Sequence, residues 1–353
     1  MHPFFQDLGA QFPLIQSPMA GAQDESLGIA VARAGAVGSI PCAALTAQDA
    51  RRSALRFQKA TAGPLNLNFF CHTVPARDPT RDARWLHELR GYYADLSLPA
   101  DYPKNAHLRP FDADMVDVVC DVKPAVVSFH FGLPDAVYID RIRATGAKII
   151  ATATTLKEAE LLAQNGCDAV IAQGKEAGGH QGVFLPTDAQ NPLNTIDLVA
   201  RIAGALTTPV IAAGGIADQA GIRAALAAGA SGVQIGTRFL KSPEATITPL
   251  YRRILDGAEP RDTQITNVFT GRPARAFVTR LVRDLGPMNP NVQAFPYAAS
   301  ALGPLRGATA GADDFAAMWA GQNWKTGTTK PARDIVLDLA QAFDPVGVED
   351  TKY

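Results

Sequence analysis

The sequence predicts a (β/α)8 barrel, the TIM fold, carrying a smaller C-terminal accessory domain. Eight short apolar runs separated by helical patterns occupy residues 1–242. Most are continuous Val/Ile/Leu/Ala stretches, as strands buried on both faces require. A doubly wound open sheet shares this alternation, but about eight strand–helix units in roughly 240 residues favour the closed barrel.

The expected strands are Leu14–Gln16, Ala36–Ile40, Leu65–Phe69, Ala125–Phe129, Lys148–Thr152, Ala169–Gln173, Pro209–Ala213 and Gly232–Ile235. Helical spacing lies between them. In Thr155–Asn165, Thr155 is an N-cap, Glu158 completes a capping box and Gly166 stops the helix. Asp218–Ala228 repeats the scheme with an Asp cap and Gly229 as the stop.

Two regions break the rhythm. Segment 73–109, rich in Pro, Asp, Arg and Tyr, reads as an insertion after the third strand. From about Pro243 the alternation ends. A helix is expected over Pro243–Leu255, then a Thr/Val/Phe/Arg-rich stretch over Thr263–Leu285, a Pro-rich loop and closing helices that include Ala332–Phe343. The expected domains are a barrel over 1–242, an accessory domain over 243–310 that covers the substrate, and helices within 311–353 that pack back on the barrel.

Composition narrows the function classes. The 353 residues are 47% hydrophobic, enough for a large core, and the formal net charge is −1. Without a basic run or patch, a nucleic-acid partner is not expected. Cys42, Cys71, Cys120 and Cys167 are widely spaced, with no CxxC pair, so they read as reduced thiols of a cytoplasmic protein and no metal is expected. No basic stretch followed by an apolar one opens the chain, and no apolar run approaches the roughly 18–20 residues of a membrane span, so neither signal peptide nor membrane anchor is expected. Monomer and homodimer are both open.

Active sites of such barrels lie at the carboxyl ends of the strands. The sixth strand runs into Gln173-Gly-Lys-Glu-Ala-Gly-Gly-His180. Gly178 and Gly179 admit a ligand close to the backbone, and His180 can exchange a proton near neutral pH. The bland alternative is a histidine on a turn. Lys175 and Glu176 read as a solvated pair. The seventh strand ends at Gly214-Gly215 and the eighth at Gln234-Ile235-Gly236-Thr237. Free backbone N–H groups there form the phosphate site common in this fold, and Thr237 adds a hydroxyl donor.

The amides of Asn68 and Gln173 can read a heteroaromatic edge. Pro18, Met19 and Ala20, leading to Gly21, offer a backbone rail for a flat ring. His130, between Phe129 and Phe131, would stand at the mouth beside His180, unless it is a core histidine. A phosphate site, amides at several strand ends and a rail describe a flavin mononucleotide (FMN) pocket better than a sugar-phosphate pocket. No mouth lysine suits a Schiff base.

The runs Gln16-Ser-Pro-Met-Ala-Gly, Ser128-Phe-His-Phe-Gly, Gln173-Gly-Lys-Glu-Ala-Gly-Gly-His, Ala213-Gly-Gly-Ile and Gln234-Ile-Gly-Thr, with Asn68, resemble those of the nitronate monooxygenases, class I in particular. The resemblance spans about residues 10–242 and resumes at Met318-Trp-Ala-Gly-Gln322. It implies non-covalent FMN held by Asn68, Gln173, Gly178, Gly215 and the Gln234–Thr237 turn, with His180 catalytic. It implies oxidation of alkyl nitronates, propionate 3-nitronate foremost, by O2 to a carbonyl compound and nitrite. His130, Tyr251 and Tyr297 are the expected substrate contacts. His180 would pair with the nitronate if protonated, or act as a base if neutral.

The sequence departs from some class I relatives, which set several tyrosines and a lysine over the mouth. Here Phe295, Ala299 and Gly303 occupy that stretch, leaving Tyr297, with Arg306 as the expected replacement cation. Two other readings stand beside this one. An FMN-dependent NAD(P)H reductase of a quinone or enoyl thioester uses the same barrel and the same Gly-Gly-His loop. A non-catalytic flavin- or phosphate-binding protein would lack a use for His180.

Overall fold

The computed structural model describes residues 1–99, 101–102, 108–186, 192–257 and 261–343. Parts of the expected insertion and of the closing segment 311–353 therefore lie outside the described residues. Eight parallel strands form the main sheet: β1 (Leu14–Gln16), β2 (Gly38–Pro41), β3 (Leu65–Phe70), β4 (Val126–His130), β5 (Lys148–Ala153), β6 (Ala169–Gln173), and, after the two-residue β7 (Gly179–His180), β8 (Val210–Ala213) and β9 (Gly232–Ile235). The order β1-β9-β8-β6-β5-β4-β3-β2 leaves β1 and β2 at the ends. A parallel bridge between Ile15 and Val37 joins them. Val37 N–H donates to the Leu14 carbonyl at 2.9 Å, and Gln16 N–H donates to the Val37 carbonyl at the same distance. The sheet is thus a closed TIM barrel, as the run spacing predicts.

Side chains fill the barrel in two shells. Ile15, Val37, Val126, Ile150, Ile171 and Ile211 meet inside it, and Phe5 of the helix Pro3–Asp7 joins them in one cluster. Gly232 leaves room for that plug, since a Cβ there would lie 2.4 Å from the Phe5 ring. Apolar faces of the surrounding helices cover the outside. Each fully buried aliphatic side chain contributes about 1.5–3 kcal/mol by leaving water.

Local signals set the helix ends with two differences. Thr155 accepts from the Glu158 N–H at 3.1 Å, and Gly166 takes a left-handed φ of +80° at the stop. The Glu158 carboxylate, however, does not close the expected capping box onto Thr155. It accepts from Thr154 N–H and Oγ1 at 2.8 and 2.7 Å, and from the N–H groups of Phe184 and Leu185 at 2.8 and 3.1 Å. That fully buried carboxylate ties the end of β5 to the loop after His180. The expected helix Pro243–Leu255 shortens to Pro249–Leu255, because Thr248 caps it and Pro249 occupies its first turn.

The remainder forms a cap. A three-stranded antiparallel sheet has the order β10 (Thr263–Thr266), β11 (Ala274–Phe277), β7. Ala274 pairs with His180 and Arg275 with Gly179, so the histidine loop is an edge strand of the cap sheet. The helix Pro79–Asp95, from the inserted segment, packs into the cap core rather than standing apart. Trp85, Leu89, Tyr92 and Tyr93 cluster with Val268, Phe269, Leu281, Leu302 and Phe315. Tyr93 donates to the Ala301 carbonyl at 2.6 Å, and Tyr92 to Asp284 at 2.9 Å. Ala332–Ala340 closes the barrel wall through Ile335, Val336 and Leu339. No helix among the described residues is long and apolar enough to cross a membrane.

Candidate active site

The strand ends bring two adjoining arrangements together. The first is a glycine cradle. Gly214 and Gly215 follow β8 with φ of +117° and +66°, values that side chains rarely allow. A Cβ on Gly214 would lie 2.8 Å from Thr195 Oγ1. Glu176, expected to be a solvated partner of Lys175, instead accepts from Thr195 N–H and Oγ1, both at 3.0 Å. It pins the loop after β6 to the helix Thr195–Ala205.

A third segment closes this cradle. Gly321 N–H donates to Thr237 Oγ1 at 3.0 Å, and Gln322 N–H to the Glu176 carbonyl at 3.0 Å. Thr237 still has its own proton to give. The backbones approach closely at Gly178, where a Cβ would meet Gly321 N at 2.6 Å. On β9, the Gln234 Oε1 is buried and has no protein donor. Gly236 faces Ser17, and the Pro18–Ala20 rail follows, with Met19 N–H held by Gln23 Oε1 at 2.9 Å. Ile235 itself is buried in the barrel wall.

The second arrangement is a histidine cavity. The His180 ring is surrounded by Phe70, Phe131, Phe295 and Trp319 at centroid distances of 5.9, 5.9, 5.5 and 5.3 Å. Its Nε2 lies 2.9 Å from Thr270 Oγ1. Its carbonyl is held twice, by Gln173 Nε2 at 2.9 Å and by His130 Nε2 at 3.1 Å. Gln173 Oε1 accepts from Gly182 N–H at 2.7 Å, so this amide first of all shapes the loop. Asn68 donates to Ser128 Oγ at 3.0 Å.

Electrostatics decide the protonation state. Burial among rings, reinforced by His130 and Arg272, pulls the His180 pKa down to about 3. Burial likewise lowers His130 to about 4, against the opposing hydrogen bond to the His180 carbonyl. With a folded value this low, His180 is neutral at pH 7. Because His130 Nε2 must donate to a carbonyl, its Nδ1 accepts from Thr152 Oγ1, 3.1 Å away.

Other expected contacts fall elsewhere. Tyr251 is buried against Phe277 behind Trp319, and its hydroxyl donates to the Trp319 carbonyl. Tyr297 donates to the Pro75 carbonyl at 3.0 Å, with the Arg77 guanidinium 4.8 Å above its ring. Arg306, the expected cation over the mouth, instead donates from Nε to the Phe315 carbonyl and lines a surface hollow with Pro249 and Arg253. Phe295 stands in the cavity and touches His72 at 4.7 Å. The cavity's cation is Arg272, which the sequence reading passed over because its loop lies some 90 residues from His180. Among the described residues no group of His, Cys, Asp and Glu could hold a metal ion.

Fold and site together define a barrel oxidoreductase with a glycine cradle and a half-buried, neutral histidine under an aromatic cap. The chain belongs to the nitronate monooxygenase family, whose profile matches residues 3–342. It is similar to a nitronate monooxygenase of Pseudomonas aeruginosa, 38% identical over 96% of this chain and 98% of that one. It is 39% identical to one of Paraburkholderia phytofirmans, over 94% of this chain and 92% of that one. Among solved structures it resembles a nitroalkane oxidase from Streptomyces ansochromogenes, with a TM-score of 0.85, 35% identity and coverage of 96% and 99%. FabK from Thermotoga maritima shares the fold at a TM-score of 0.70 and 27% identity, with coverage of 97% and 96%.

Proposed function

We propose that the protein oxidises small alkyl nitronates with O2, yielding a carbonyl compound and nitrite, with propionate 3-nitronate as substrate and FMN as cofactor. The observation that carries this reading is the joining of the glycine cradle to the His180 cavity by one loop, Gln173–His180. A phosphate-bearing cofactor and a small reactant would thus share one strand-end platform. The cradle residues fit such a cofactor. Gly178, Gly179, Gly214, Gly215, Gly236 and Thr237 would hold its phosphate. Asn68, Gln173 and Gln234, with the Pro18–Ala20 rail, would hold its ring system. The unpartnered Gln234 Oε1 is a buried acceptor in want of a donor, the mark expected where a ligand N–H belongs.

Bound flavin supplies the electron acceptor. The chain's own residues do the rest. Neutral His180 offers a ring nitrogen, by which it accepts a proton from carbon or hydrogen-bonds a nitronate oxygen. Thr270 fixes the ring, and His130 with Gln173 fixes the backbone behind it. Phe70, Phe131, Phe295 and Trp319 exclude water, which strengthens each polar contact made inside.

The test is oxygen uptake by the FMN-loaded protein with propionate 3-nitronate in air and without NAD(P)H. Rapid uptake with nitrite release supports the reading, and none sinks it. One alternative uses the same Gly-Gly-His loop, an NAD(P)H-dependent reductase. Bleaching of bound flavin by NADPH under nitrogen, with no nitronate turnover, would select it.

A further inference from the structure

We propose that Arg272 holds the negative charge of the substrate in the His180 cavity and makes the site select a planar oxyanion over its uncharged isostere. The proposal rests on the reading of that cavity as the substrate site.

Four observations converge on this residue. First, its guanidinium lies in the cavity wall, 4.2 Å from the centroid of Phe131 and 5.5 Å from that of Phe295. Both rings also touch His180. Second, no carboxylate answers its charge among the described residues. Its side-chain hydrogen bond is from Nη1 to the Val183 carbonyl at 2.8 Å. A guanidinium carries five N–H donors and stays protonated, so most of its hydrogen-bonding capacity is left for a ligand. Third, the three imidazoles near it, His72, His130 and His180, are neutral at pH 7 and add no positive charge. A partly buried cation facing rings and neutral imidazoles lowers its energy by meeting an anion there.

Fourth, the backbone is committed to this arrangement. Phe131 takes a left-handed φ of +70°, uncommon for a bulky residue, and that turn puts its ring under the guanidinium. Arg272 also shares a loop with Thr270, the partner of His180 Nε2, whose Oγ1 lies 3.4 Å from the Arg272 carbonyl. Cation and imidazole are therefore held in one frame. An oxyanion paired with Arg272 would present its α-carbon towards the ring cluster that contains His180. Nitronates and carboxylates are both planar oxyanions, and an amide is the neutral isostere of the latter.

The experiment measures dissociation constants of propionate and propionamide for the FMN-loaded protein at pH 7.5 by calorimetry. Propionate is expected to bind at least tenfold more tightly. Arg272→Met should bring the two within about threefold, a tenfold loss corresponding to about 1.4 kcal/mol, while Arg272→Lys should keep part of the preference. Equal binding of the two probes by the unaltered protein overturns the proposal, as does a preference that survives in Arg272→Met. If Arg272→Met does not fold, the unaltered protein decides alone, and a preference undiminished in Arg272→Lys counts against guanidinium recognition. Oxygen uptake with ethyl nitronate separates the two readings. Turnover without anion preference removes Arg272's role and keeps nitronate oxidation, whereas anion preference without turnover does the reverse.

Discussion

His130 Nε2 lies 3.1 Å from the carbonyl oxygen of His180, so one histidine of the site holds the backbone of the other. The pair belongs to strands β4 and β7, fifty residues apart in sequence. Together with Gln173 it makes the peptide at His180 one of the most constrained points at the strand ends. Its imidazole, by contrast, has one hydrogen-bond partner among the described residues, Thr270.

Replacing His180 by Asn should therefore leave the fold and the proposed FMN binding intact while nitronate turnover falls at least tenfold, where full loss of acid–base help costs about 10²–10⁴. Flavin absorbance of the purified variant and steady-state oxygen uptake check both halves. A rate equal to that of the unaltered protein would remove His180 from the chemistry.

Thr270→Val keeps the side-chain shape and removes the hydroxyl at His180 Nε2. The expected result is a lower kcat with little change in melting temperature. Thr270→Ser should restore most of the rate. Equal rates in the Val and Ser variants would mean that the hydrogen bond does not orient the imidazole.

Stability should depend on pH through His72, His130 and His180. Burial lowers them to about 4, 4 and 3, against an ordinary value of about 6.5. The unfolded chain therefore binds more protons than the folded one between pH 4 and about 6.5. Stability from this source is complete above about pH 6.5 and is lost as pH falls through that window. Thermal unfolding followed from pH 8 to 4.5 should decline below 6.5, and His130→Asn should flatten the slope. An unchanged slope in that variant would contradict the neutral assignment.

Gly178→Ala would push a methyl to within 2.6 Å of Gly321 N and 2.7 Å of the Ala320 carbonyl carbon. Backbone cannot yield as a side-chain tip can, so segment 320–322 must move off the cradle. FMN retained through gel filtration should drop at least tenfold. Full retention would show that the closure by Gly321 on Thr237 is dispensable.

Glu158→Gln puts an amide where a buried carboxylate accepts four hydrogen bonds. One oxygen is lost as an acceptor, and an NH2 group would then face donors from Thr154 or from Phe184 and Leu185. Unfolding in urea should show a loss of about 1–3 kcal/mol, the cost of a buried polar group left unsatisfied. A loss under 0.5 kcal/mol, roughly the size of a neutral surface change, would mean that the loop relaxes around the amide.

The barrel and its glycine-rich strand ends were legible in the sequence because their signals are local. An apolar run followed by Gly-Gly or Gly-Thr can be read within about ten residues, and all eight barrel strands begin and end within two residues of expectation. The cavity was legible only in part. His180 and His130 stand out by chemistry, but Thr270 and Arg272 sit in the loop before β11, whose pairing to β7 no local pattern announces. Neither distance in sequence nor residue type reveals that the Tyr251 hydroxyl is engaged by the Trp319 carbonyl or that Arg306 Nε donates to the Phe315 carbonyl. The insertion after the third strand gives no sign of its partners, because Val268 to Phe315 lie roughly 180–230 residues on.

Pairing of Ala274 with His180 and Arg275 with Gly179 has a consequence for traffic through the site. A cap that swung away as a rigid flap would have to strip the inter-strand hydrogen bonds from the very segment that bears His180, undoing the alignment each cycle requires. Reactant and product must then pass between side chains at the rim while this seam stays closed.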